Sequence, residues 1–151
     1  MTVKIEIIPA NTIAYIRNIG PYGIKNIQTM ERLKDWAKSK NLFNDESIIF
    51  GIAQDDPKVT QAENCRYDAC IVVSKDYIIT DDYIKESTLI GGKYAVFKIN
   101  HTAEAVQKAW GDIFHELLIN GYEFDKSRLI MERYIVKMVN NHFCEICVPV
   151  H

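Results

Sequence analysis

The feature that most constrains this chain is an order of elements that occurs twice. Val3, Ile5 and Ile7 alternate, Pro9-Ala10-Asn11 turns the chain, and residues 13–19 read as a second strand. Gly20-Pro21-Tyr22-Gly23 interrupts it. Ile24, Ile27, Met30, Leu33 and Trp36 then mark a helix from about Ile24 to Ser39, stopped near Asn41. Ile48 to Ala53 and Tyr67 to Val73 supply two more strands. The second half repeats the order at an offset of about 80 residues. Leu89-Ile90 and Tyr94 to Ile99 flank Gly91-Gly92. Thr102 is placed to cap a helix from Ala103 to Ile119, with Ala103, Val106, Trp110, Ile113 and Leu117 as its apolar stripe. Glu104 and Lys108 have the spacing of an outer ion pair, and Gly121 ends the helix. Leu129 to Val139 reads as one long strand, and Phe143 to Val150 as the last.

Ile13-Ala14-Tyr15-Ile16 thus corresponds to Tyr94-Ala95-Val96-Phe97, and Ile48-Ile49-Phe50-Gly51 to Leu129-Ile130-Met131-Glu132. The expected architecture is α+β, with duplicated ββαββ halves related by a pseudo-two-fold and helices on one side of an antiparallel sheet. No linker composition divides the chain, so residues 1–151 are expected to form one domain, with the repeat spanning approximately 1–75 and 87–151. A cavity between the halves is the natural ligand site.

Composition removes several function classes. The chain has 18 Lys plus Arg and 20 Asp plus Glu, a formal net charge of −2. That argues against a basic surface for direct nucleic-acid binding. No apolar run approaches the roughly 18 residues of a membrane span, and no basic-then-apolar leader opens the sequence. A cytoplasmic protein is expected. Cys144 and Cys147 have a metal-like spacing, but in a strand they point to opposite faces, and Cys65 and Cys70 are too far apart for a knuckle. Buried free thiols are the expectation. His101, His115, His142 and His151 show no ligand spacing, so neither a metal nor a cofactor is assigned.

One charge stands out by strand parity. Ile130, Glu132, Tyr134, Val136 and Met138 share a face on which Glu132 is the only charge, while Arg133 points the other way. A carboxylate among apolar neighbours requires donors or a cation, or it takes up a proton. Glu132 can therefore pair across strands and only stabilise the sheet. Ionised in an aromatic pocket, it can receive a lipophilic cation. With a raised pKa it can act as a general base or acid. Tyr134, Tyr67, Trp110 and Tyr22 are the candidate aromatic walls.

Gly20-Pro21-Tyr22, Arg66-Tyr67-Asp68-Ala69, Gly92-Lys93-Tyr94-Ala95-Val96-Phe97, Met131-Glu132-Arg133-Tyr134 and the ending Cys144-Glu145-Ile146-Cys147-Val148-Pro149-Val150 resemble, in this order, the GyrI-like small-molecule-binding family. The resemblance implies SH2-like halves and a binding acid in an aromatic, Glu, any, Tyr pattern. Met131 departs from the aromatic position, while Glu132 and Tyr134 keep theirs. It also implies diverse ligands, including lipophilic cations, with some stand-alone members inhibiting DNA gyrase and others hydrolysing cyclopropanoid genotoxins. The expected site is Glu132 and Tyr67 as reactive groups, with Tyr134, Trp110, Tyr22, Phe50, Phe97 and Ile130 binding ligand. The expected partner is a hydrophobic or cationic small molecule, with DNA gyrase as the alternative and a monomer as the state. Binding alone, and addition of water to a strained ring, both remain open.

Overall fold

In the computed structural model, which describes residues 2–151, eight strands form one sheet with two long helices on one face. The elements run β1 (Thr2–Ile8), β2 (Asn11–Ile19), α1 (Ile24–Ser39), β3 (Ile48–Ala53), β4 (Arg66–Val72), β5 (Lys85–Leu89), β6 (Gly92–Asn100), α2 (Ala103–Ile119), β7 (Met131–Ile135), α3 (Val136–Asn140) and β8 (Phe143–Pro149). The strand order is β1-β6-β8-β7-β3-β4-β2-β5, and all neighbours are antiparallel. From the central β7–β3 pair, one wing runs β8-β6-β1 and the other β4-β2-β5. β1 therefore sits in the wing of the second half and β5 in that of the first.

The helices end where local chemistry dictates. The Thr102 side chain accepts the Ala105 N–H at 3.1 Å and caps α2. Asn41, at φ 58, and Gly121, at φ 76, take the left-handed backbone that closes a helix. α1 buries Met30, Leu33, Trp36 and Ala37 against β2 and β4. α2 buries Ala109, Ile113 and Leu117 against β6 and β8. Its buried stripe thus runs through Ala109, leaving Trp110 at the edge, 36% exposed. Lys108 pairs with Asp112 at 2.8 Å rather than with Glu104.

The strand expected over 129–139 is shorter. β3 begins at Ile48, whose partner is Ile135, so beyond Ile135 no strand remains to pair. The N–H groups of Val136 and Lys137 donate instead to Ser47 and Asp45 carbonyls, at 3.1 and 3.0 Å, and the chain curls into α3. Glu132 lies inside the part that is strand, so its parity holds.

A third apolar cluster fills the helix-free face, with Phe50, Ile52, Cys70, Tyr94, Met131 and Cys147. Cys144 lies in the α2 cluster and Cys147 in this one, on opposite faces, and burial pushes both thiols up to about 12. Arg133 also faces this side, donating to Glu145 at 2.8 Å and to Glu6 at 2.7 Å. Among the described residues no helix is long and apolar enough to cross a membrane.

Candidate functional site between the two helices

Glu132 sits at the centre of the sheet, with Gly51 of β3 opposite it on one side and Ile146 of β8 on the other. It projects to the helix-bearing face, in the gap that α1 and α2 leave between them. Tyr134, two residues on, shares the face and donates its hydroxyl to the Glu132 carboxylate. Tyr67 of β4 reaches over Gly51. A Cβ at position 51 would lie 2.6 Å from the Tyr67 hydroxyl oxygen, so only glycine leaves the ring where it is. The His101 ring packs edge-on against Tyr134, centroids 5.6 Å apart.

Two clefts meet at Glu132, Tyr134 and His101. One, of about 320 Å³, runs along α1 past Ile27, Met30 and Lys34 and includes Tyr67. The other, of about 870 Å³, runs toward α2 past Tyr22, Val106 and Trp110. Tyr22 is held at the mouth by its hydroxyl, which donates to the Arg66 carbonyl at 2.7 Å and accepts the Asp55 N–H at 3.1 Å. The Asp55 carboxylate in turn grips the Arg66 guanidinium, which lowers its pKa to about 2.

The electrostatics follow from burial. Desolvation first, and the Glu132 charge second, push the Tyr67 and Tyr134 hydroxyls well above the usual tyrosine range. Both therefore remain proton donors at any ordinary pH. Burial, reinforced by Lys38, lowers the Lys34 pKa. The site is a carboxylate with one tyrosine hydroxyl bonded to it, a second close by, and aromatic and apolar walls. Such an arrangement can balance a buried cation or hold a polarised water.

The structure brings together Glu132, Tyr134, Tyr67, Tyr22 and Trp110. It separates three residues expected with them. Phe50 pairs with Arg133 rather than Glu132, so it faces the opposite side of the sheet and is 1% exposed there. Phe97 shares the face of Glu132 but is sealed beneath α2 at 0% exposure. Ile130 precedes β7 and packs against the α2 core rather than lining either cleft. His101, Met30, Ile27 and Lys34 were not expected. The usable signal was positional: His101 immediately precedes the α2 cap, as Tyr22 and Gly23 precede α1.

The GyrI-like small molecule binding domain model matches residues 1–151. The chain is 44% identical over 151 residues to the SPbeta prophage-derived YosT protein of Bacillus subtilis (strain 168), covering 99% of each. It is 26% identical over 125 residues to the DNA gyrase inhibitor 2 of Dickeya dadantii (strain 3937), covering 82% of this chain and 78% of that one. The structure of SAV2435 bound to tetraphenylphosphonium superposes with a TM-score of 0.60 at 17% identity, covering 100% of this chain and 94% of that one. With its sheet, its two-helix groove and a family match along its whole length, the chain belongs to the GyrI-like small-molecule-binding family.

Proposed function

We propose that the groove between α1 and α2 binds a hydrophobic, aromatic or cationic small molecule, with Glu132 as its counter-charge. The observation that carries this reading is the Glu132 carboxylate at the junction of two clefts walled by Tyr22, Tyr67, Trp110 and Tyr134. A delocalised cation gains from aromatic faces as well as from the carboxylate. The tetraphenylphosphonium carried by SAV2435 supports this ligand class. The roles of the individual residues, a monomeric cytoplasmic state and a duplicated origin of the two wings belong to the same proposal.

Trp110 supplies the test, because it lines the α2 cleft while Trp36 is buried under α1. Titration with tetraphenylphosphonium should quench tryptophan fluorescence saturably, and Trp110→Phe should remove that response. A saturable quench that survives Trp110→Phe would place the ligand elsewhere.

A second reading rests on the Tyr67 hydroxyl, which makes no hydrogen bond among the described residues and lies close enough for Glu132 to raise its pKa. Glu132 would then take a proton from a water whose oxygen bonds to an electrophilic ring carbon, the strained C–C bond at that carbon would break, and Tyr67 would give its proton to the atom that receives that electron pair, regaining one from Glu132. Incubation with a cyclopropanoid tests this by the appearance of a ring-opened product. Inhibition of DNA gyrase is a third property, supported by the name of the Dickeya dadantii relative.

A further inference from the structure

The helix-free face of the sheet carries a cavity of its own, of about 230 Å³, on the other side from Glu132. Its floor is apolar: Ile13, Ile52, Cys70 and Met131. Its walls hold two guanidinium groups arranged alike. Arg17 lies over the Tyr15 ring at 5.7 Å, and Arg128 over the Tyr94 ring at 4.8 Å. Each is fixed by a carboxylate. Arg17 donates to both oxygens of Asp68 at 2.7 and 2.8 Å, and Arg128 donates through Nε to Asp125 at 3.0 Å.

Each arginine also keeps one nitrogen in reserve. Arg17 uses Nε and Nη2 on Asp68, and its Nη1 makes no hydrogen bond among the described residues. Arg128 uses Nη2 on the Lys93 and Val150 carbonyls, and its Nη1 is buried against Gly92 with no partner. A buried donor left unmet pays its desolvation uncompensated, and a turn of the guanidinium toward an acceptor in the cavity would relieve it. Asp68 adds little repulsion, because Gln54 at 2.8 Å joins Arg17 in occupying its oxygens. The lining thus offers two guanidinium groups, one held by the lining Asp68 and the other by Asp125 behind it.

We propose that this cavity is a second ligand site, for a small carboxylate with an apolar body of single-ring size. The apolar floor takes the body, and the spare guanidinium nitrogens take the carboxylate oxygens. Guanidinium donors at its walls, in place of an acceptor carboxylate, distinguish it from the groove that holds Glu132.

The test uses the full chain and sodium benzoate as probe, followed by amide NMR. Benzoate should shift Ser87, Leu89, Arg128 and Met131 saturably, and its neutral analogue benzamide should bind at least about tenfold more weakly. Arg128→Gln should weaken benzoate by about tenfold or more. Because Arg128 also ties down the chain ending, Ser87→Trp on the exposed edge strand provides a second variant that fills the cavity without removing an ion pair. It should abolish the shifts, whereas Glu132→Gln should leave them unchanged. Absence of saturable shifts, shifts centred on Tyr67, His101 and Tyr134, equal binding of benzamide, or unchanged binding in Ser87→Trp would each overturn the proposal. Failure of the Glu132 groove to bind tetraphenylphosphonium would leave these outcomes untouched.

Discussion

Gly51 and Glu132 are direct cross-strand partners at the centre of the sheet, and the Tyr67 hydroxyl fills the space that a side chain at Gly51 would need. The bare position beside the carboxylate is therefore what lets the tyrosine lean over it. Gly51→Ala places a Cβ 2.6 Å from the Tyr67 oxygen, while the next ring atom is 3.4 Å away. The substitution should destabilise the fold by about 1–3 kcal/mol through overpacking. In a Tyr67→Phe background most of that loss should vanish, because only the hydroxyl clashes. Urea unfolding of the four proteins in this cycle checks it, and additive effects would show that the two residues do not meet.

The buried ion cluster on the opposite face predicts a different loss. Glu145 is 2% exposed and accepts from Arg133, whose second carboxylate partner is Glu6. Glu145→Ala leaves a buried guanidinium with one partner. Unfolding stability should fall by about 3 kcal/mol, the lower end for a broken buried pair because Glu6 remains. Ligand binding in the groove should be unaffected, since the cluster lies across the sheet.

The raised tyrosine pKa values set an alkaline limit. In the unfolded chain Tyr67 and Tyr134 ionise near the ordinary value of 10.0, whereas burial and Glu132 hold their protons in the folded state. Their contribution is fully present below that value and is lost as pH rises through and beyond it. The loss should approach about 1.4 kcal/mol per pH unit for each tyrosine. Denaturant midpoints should fall between about pH 9 and about pH 11, and less steeply in Tyr67→Phe. Equal slopes in both proteins would remove Tyr67 as a source.

Strand parity alone assigns the faces of β7. Glu132, Tyr134 and the opposed Arg133 follow from alternation alone, and α1 has the bounds its periodicity gave. Phe50 lies across the sheet from the groove because its face depends on register with β7, where it pairs with Arg133, and no local pattern encodes register. The end of β7 was hidden for a related reason. Val136 to Val139 have strand-like residues, and only the lack of a partner beyond Ile48 turns them into α3. Trp110 sat on a regular stripe, yet one position of rotation puts Ala109 in the core and the tryptophan at the cleft. The pairing of β1 with β6 and of β5 with β2 lies beyond any local reading, since the partners are distant in the chain.

Glu132→Gln isolates the charge proposed to recognise the ligand, because it keeps the shape of the side chain and removes its charge. Calorimetric titration of both proteins with tetraphenylphosphonium, beside a neutral aromatic of similar size, is the most direct measurement. A charge-assisted interaction contributes about 1.5–3 kcal/mol. Affinity for the cation should therefore drop by about one to two decades in Glu132→Gln, while the neutral compound binds as before. Equal affinities of the two proteins for the cation would contradict the account and leave Glu132 a structural partner of Tyr134.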